Sequence, residues 1–102
     1  MAEVVWTEPA LSDLDAIADY IALENPAAAA ELVRRVLKHV GQLADHPLSG
    51  PELPELPGWR YRQIIEPPCR VIYRCEKQMV YVLHVVRAER LLQAARFRST
   101  PP

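Results

Sequence analysis

The sequence predicts a single α+β domain spanning residues 1–102: an N-terminal strand, an antiparallel helix hairpin, a three-stranded antiparallel meander and a short C-terminal helix. Three observations carry that prediction. Apolar residues recur at three- and four-residue spacing from Leu11 to Leu43, then at a spacing of two from Trp59 to Arg87, so one half has the helical period and the other the strand period. Proline-bearing breaks at "ENP" (24–26), "HPLSGPELPELPG" (46–58) and Pro67-Pro68 separate the runs. The joints within each half are too short for anything but antiparallel neighbours. Helices over one face of a sheet is the layering that follows.

"EVVW" (3–6) is a short apolar run that suits a strand. Thr7 can cap a helix opening at Glu8-Pro9, where proline fits the first turn and glutamate favours the positive end of the helix dipole. Leu11, Leu14, Ile17, Ala18, Ile21 and Ala22 make its apolar stripe, and Asp13, Asp15 and Asp19 fall on the wet side. The residue before Pro26 is pushed out of helical geometry, so the first helix ends near residue 24 and Asn25 caps a second one over 26–45. The proline-rich stretch 46–58 is a surface loop. "WRYRQIIE" (59–66), "CRVIYRC" (69–75) and "MVYVLHVVR" (79–87) then form the meander, and "AERLLQAARF" (88–97) the closing helix. The expected core is Leu14, Ile17, Ile21, Leu32, Val36, Leu37, Val40, Val71, Tyr73 and Val82. Alternation places His84 in it beside Val82 and Val86.

Composition excludes several classes of function. Half the residues are apolar and a quarter charged, which is ordinary for a soluble globular chain. No apolar run approaches the ~18 residues of a membrane span, and "MAEVVWTEPA" is no signal peptide. Cys69 and Cys75 on one strand stand about 20 Å apart, beyond disulfide reach, so a reduced, cytoplasmic setting is expected. Three glycines, none in a phosphate-loop pattern, argue against a nucleotide site. His39, His46, His84 and the cysteines lack metal-ligand spacing, so neither metal nor cofactor is expected. Ser12, Ser49 and Ser99 sit in no nucleophile elbow.

Charge is unevenly distributed. Residues 1–58 hold ten acidic and three basic residues, whereas 59–102 hold three acidic and nine basic ones. Such asymmetry marks a partner-facing surface, or merely a half that solvates itself with arginine. Within 60–74, Arg60 and Arg62 share one side of their strand and Arg70 and Arg74 share one side of theirs. The expectation is a sheet with one apolar face and one open basic face.

"LSDLDAIADYIALENPAAA" (11–29), "HPLSGPELPELPGWRYRQI" (46–64) and "CRVIYRCEKQMVYVLHVVRAERLL" (69–92) resemble the RelE/ParE superfamily of bacterial type II toxins over nearly the whole chain. That resemblance implies a toxin neutralised by an antitoxin whose C-terminal segment lays a helix and an extended stretch on it. It also implies a role in plasmid stabilisation. ParE-like members poison DNA gyrase, and RelE-like members cleave mRNA on the ribosome. Cleavage by the substrate's own 2′-OH needs a base, a cation for the phosphate and an acid. Arg62 and Arg70 match two of the basic positions of the RelE-like ribonucleases. Ala88 stands where a further arginine is usual, flanked by Arg87 and Arg90, and "LLQAARFRSTPP" has neither the Tyr nor the His often found there. "DYIALENP" resembles the ParE-like branch.

The resemblance therefore implies a non-enzymatic gyrase inhibitor with no catalytic residues, partnered by a ParD-like antitoxin and DNA gyrase. No membrane contact is implied, and direct nucleic-acid binding enters only through the complex. Arg60, Arg62, Arg70 and Arg74 would bind the antitoxin, and Arg87 and Arg90 the target. The alternatives are a ribosome-dependent endoribonuclease and an orphan or detoxified binding module.

Overall fold

A computed structural model describes residues 1–88. Strand β1 (Glu3–Trp6) leads into helix α1 (Glu8–Ala22), and α2 (Pro26–Gly41) follows with a 3₁₀ turn at Gln42–Ala44. Strands β2 (Tyr61–Glu66), β3 (Cys69–Glu76) and β4 (Met79–Arg87) complete one four-stranded sheet in the order β1-β4-β3-β2. The expected fold class is the observed one. The helix expected over 88–97 lies, but for Ala88, outside the described residues.

Local chemistry accounts for the helix starts. The Thr7 hydroxyl oxygen accepts from the Ala10 N–H and donates to the Val82 carbonyl at 2.6 Å, so one side chain caps α1 and anchors it to β4. Asn25 Oδ1 accepts from the Ala28 N–H at 3.0 Å, with Pro26 opening α2 behind it. Because the long helical crossover returns the chain in the same direction, β1 pairs parallel with β4 and occupies one edge of the sheet. The meander pairs antiparallel across Pro67-Pro68, a cis bond, and across Lys77-Gln78.

One face of the sheet carries the hairpin. Ala10, Leu14, Leu32, Val36, Val40 and Leu43 pack against Ile64, Cys69, Val71, Tyr73, Val80, Val82 and Val85. Ile17 and Ile21 are half-buried at its margin. Leu37 departs from the expected core and is 47% exposed. Leu32, Val36 and Val40 define the inward stripe of α2, and Leu37 is turned about 100° from Val36. A second, smaller cluster of Leu53, Leu56, Tyr61 and Ile72 covers part of the opposite face, with Trp59 and Leu83 against it. The loop between α2 and β2 therefore lies over the sheet.

Candidate functional site

The four arginines of 60–74 do not share one face. β2 and β3 meet at a two-residue turn that sets Glu66 opposite Cys69, and the register then pairs Arg62 with Tyr73, Ile65 with Arg70 and Tyr61 with Arg74. Residues opposite one another in a sheet project to the same side. Arg62 is thus on the hairpin side with Tyr73, and Arg70 and Arg74 are on the other side. Arg60 precedes the strand, exposed and in the left-handed region at φ 67°.

Each arginine then has its own surroundings. Arg62 Nη1 donates to the Gly50 carbonyl at 2.7 Å and the Leu48 carbonyl at 3.4 Å. Arg70, 5% exposed, sends both terminal nitrogens to the Glu55 carboxylate, at 2.8 and 2.9 Å, and its Nε to Gln63 Oε1 at 2.7 Å. This fork-to-carboxylate geometry is the strong, directional form of an ion pair. Arg74 lies 3.4 Å from the Glu76 carboxylate and stacks over the Tyr81 ring, 5.8 Å from its centroid. The expected open basic face is therefore largely a closed one, with two of its arginines holding the 46–60 loop.

That loop is fastened along its length. The Gly50 N–H donates to the Tyr73 hydroxyl at 3.0 Å, Cys75 Sγ to the Pro47 carbonyl at 3.2 Å, and the Gln63 N–H to the Pro51 carbonyl at 3.0 Å. A Cβ at position 50 would lie 2.3 Å from the Gln63 carbonyl oxygen, so glycine is required by close approach. Burial pushes the Tyr73 phenol and the Cys75 thiol above their ordinary ranges.

His84 is not beside Val82. A bulge between Ile72 and Tyr73 shifts the β3–β4 register, so Ile72 opposes His84 while Tyr73 opposes Val82. His84 Nδ1 lies 3.1 Å from Asp13 Oδ2, and the same oxygen accepts the Val85 N–H at 3.0 Å. Asp13 therefore fastens α1 to the edge of β4 and is not part of the wet face of the helix. Three residues on, the Arg87 guanidinium sits over the Tyr20 ring, 5.6 Å from its centroid. Arg90, its companion in the expected target surface, lies outside the described residues. Glu55 was absent from the expected site; its signal is only that of one of two carboxylates, with Glu52, in a proline-rich loop.

A cleft of about 370 Å³ opens at the outer edge of β2, lined by His39, Gln42, His46, Ser49, Gln63 and Ile65 among others. Of its lining residues, His39 shares the Glu66 carboxylate with Arg35, their Nδ1 and Nε lying 3.2 and 3.4 Å from it. Among the described residues no three His, Cys, Asp or Glu side chains gather to hold a metal ion, and no helix is long and apolar enough to cross a membrane.

Residues 4–92 match the family model described as the ParE toxin of the type II toxin–antitoxin system parDE. The chain is 35% identical over 95 residues to Toxin RelE2 of Caulobacter vibrioides, an alignment covering 89% of this chain and all of that protein. Its fold superposes with a TM-score of 0.72 on a chain from a structure titled chromosomal ParDE TA system from P. aeruginosa. That alignment is 31% identical and covers 87% of this chain and 98% of that one.

Proposed function

Because the chain belongs to the ParE toxin family of type II toxin–antitoxin systems, we propose that it acts in the cytoplasm as a gyrase inhibitor that works by binding and is neutralised by a ParD-like antitoxin. The observation that carries this reading is the disposition of Arg62 and Arg70. A ribonuclease of the RelE-like kind would need both at one scissile phosphate, beside a base and an acid. Here they lie on opposite faces of the sheet, one tied to loop carbonyls and the other to Glu55. Neither is placed to meet a phosphate together with the other.

Antitoxin recognition then falls to cations nearer the surface. Arg60 and Arg74 are the candidates for carboxylates of the antitoxin, while Arg62 and Arg70 act indirectly by fixing the loop between them. Arg87, with Arg90 further along the chain, is the candidate for gyrase. A supercoiling and cleavage-complex assay with purified gyrase tests the reading. Accumulation of cleaved complexes or loss of supercoiling, reversed by the antitoxin, is the expected result.

A second reading, a ribosome-dependent endoribonuclease, is favoured by one observation. A carboxylate on Nδ1 of His84 is how histidines are oriented for proton transfer. In a purified translation system, mRNA cleavage at the ribosome with gyrase left unaffected would establish it over the first.

A further inference from the structure

The helix hairpin turns one face to the sheet and the other outward. Arg35 and His39 reach from α2 to Glu66 of β2, while Asp13 and Tyr20 reach from α1 to His84 and Arg87 of β4. Each helix therefore meets the other along the flank turned away from those contacts. At about 100° per residue, that flank carries Leu11 and Ala18 on α1, and Ala30 and Leu37 on α2. In an antiparallel hairpin, residues equally far from the joint stand side by side. Leu11 and Leu37 are each thirteen positions from Glu24, and Ala18 and Ala30 each six. Leu11 is 46% exposed and Leu37 47% exposed, so the two make an apolar pair on the outer seam between the helices.

The banks of that seam differ in charge. On α1 the exposed side chains of Glu8, Asp15 and Asp19 recur at helical spacing as an acidic column, and on α2 Arg34 and Lys38 make a basic one. Glu31, the only acidic residue of α2, is already held by Arg34.

We propose that this face is a self-association surface, on which a second copy of the chain packs hairpin to hairpin. A two-fold dimer uses the same patch on both copies, so each contact occurs twice with the roles exchanged. Two kinds of axis lie in the plane of the face. An axis running across the helices would set acid on acid and base on base. An axis running along them lays α1 of each copy antiparallel on α2 of the other and keeps every residue at its own level. Asp15, nine positions from Glu24, then meets Arg34 of the second copy, ten positions from it. Glu8, at sixteen, meets Lys38, at fourteen. Leu11 of each copy covers Leu37 of the other. Removal of these leucines from water supplies the attraction, and the charges select the axis. Two helices about 22 Å long offer a small patch, so the dimer belongs with weak, concentration-dependent assemblies.

The test is sedimentation of the purified full chain over a concentration series, at low and high salt. It is repeated for Asp15→Arg, for Arg34→Asp and for an equimolar mixture of the two. The wild type should pass from monomer to dimer as its concentration rises, and added salt should move that transition to higher concentration. Each single reversal places like charges together twice, so either variant alone should dimerise at least about tenfold more weakly. The mixture should regain the dimer, because each reversed side chain meets its opposite on the other variant. Leu37→Ser, at a half-exposed site, should weaken the dimer without unfolding the chain. A wild type that stays monomeric throughout overturns the proposal. So does a dimer that neither the charge reversals nor Leu37→Ser weakens, since it must then form through another face. A mixture of folded variants that fails to regain the dimer also overturns it. If a reversal unfolds the chain, Leu37→Ser alone decides: a dimer as strong as the wild type's overturns the proposal.

Discussion

Arg70 and Glu55 face each other through two nearly equal hydrogen bonds, 2.8 and 2.9 Å, although they are fifteen residues apart in sequence with the whole of β2 between them. The guanidinium is almost fully buried, so deleting its partner leaves an uncompensated charge inside the protein. Glu55→Ala should cost about 3–5 kcal/mol of folding stability, whereas replacing both members by apolar residues of similar volume should be close to neutral. Urea unfolding of Glu55→Ala and of the double variant Arg70→Met/Glu55→Leu checks this. A single-variant cost below about 1 kcal/mol would show the pair to be surface-like.

Arg74 provides the contrast. It is held by exposed Glu76 and the Tyr81 ring, so Arg74→Ala should change stability much less than Arg70→Ala. If it meets a desolvated antitoxin carboxylate, the complex should weaken by about 2–5 kcal/mol. Affinity and melting temperature measured on both variants separate the two roles: Arg74→Ala moves affinity first, and Arg70→Ala moves stability first.

The hairpin and the three meander strands were legible because period, caps and prolines agree at most boundaries, although α1 stops at Ala22 rather than near 24, α2 gives way to a 3₁₀ turn after Gly41 rather than running to 45, and β2 opens at Tyr61 rather than 59. Leu37 and the arginine face were not, for different physical reasons. The stripe of α2 is narrower than its run of apolar residues, and only packing decides which margin is covered. Alternation says which residues of a strand share a side, but the side that Arg62 and Arg70 take relative to each other depends on cross-strand register. The tight Pro67-Pro68 turn does encode that register, since it sets Glu66 opposite Cys69 and so carries Arg62 to Tyr73. The bulge that moves His84, and the choice of Glu55 as the partner of Arg70, leave no periodic trace. They arise from contacts between distant segments.

The packing difference has a direct test. Leu14→Ala should cost about 2–5 kcal/mol, because Leu14 is buried between helix and sheet. Leu37→Ala should stay within about 0.5 kcal/mol, as expected of a surface site. Equal costs would contradict the described orientation of α2.

Alkaline pH should loosen the loop anchored on Tyr73. Burial raises this phenol above its ordinary value of 10.0, outweighing the Gly50 N–H that favours the charged form. A group whose folded pKa is raised contributes stability that is fully present below the unfolded pKa and is lost as pH rises through the folded one. Cys75, raised from 9.0 mainly by burial, adds a contribution of the same sign beginning at lower pH. Urea midpoints should therefore fall between about pH 9 and 11. In Tyr73→Phe the fall should be shallower, from a lower starting stability because the Gly50 N–H loses its acceptor. A wild-type midpoint that is flat across this range would contradict the assignment.

His84 decides between the two mechanisms. Glutamine at this position can still donate to Asp13 Oδ2, and the Val85 N–H still bonds that oxygen, so α1 should remain fastened to β4. What His84→Gln removes is the imidazole ring, the group that could serve as general acid or base. A general acid or base contributes roughly 10²–10⁴-fold to a rate, so a ribonuclease relying on His84 would lose that much mRNA cleavage. A toxin that acts by binding should lose little. Charge reversal at Arg87, by contrast, breaks the stack on Tyr20 and turns a cation toward repulsion of acidic or phosphate-bearing surfaces, so gyrase inhibition should fall. The two variants are measured side by side in gyrase supercoiling and in purified translation. Retained gyrase inhibition in His84→Gln with loss in Arg87→Glu is the expected pattern, and mRNA cleavage abolished by His84→Gln would assign the chain to the enzymatic branch.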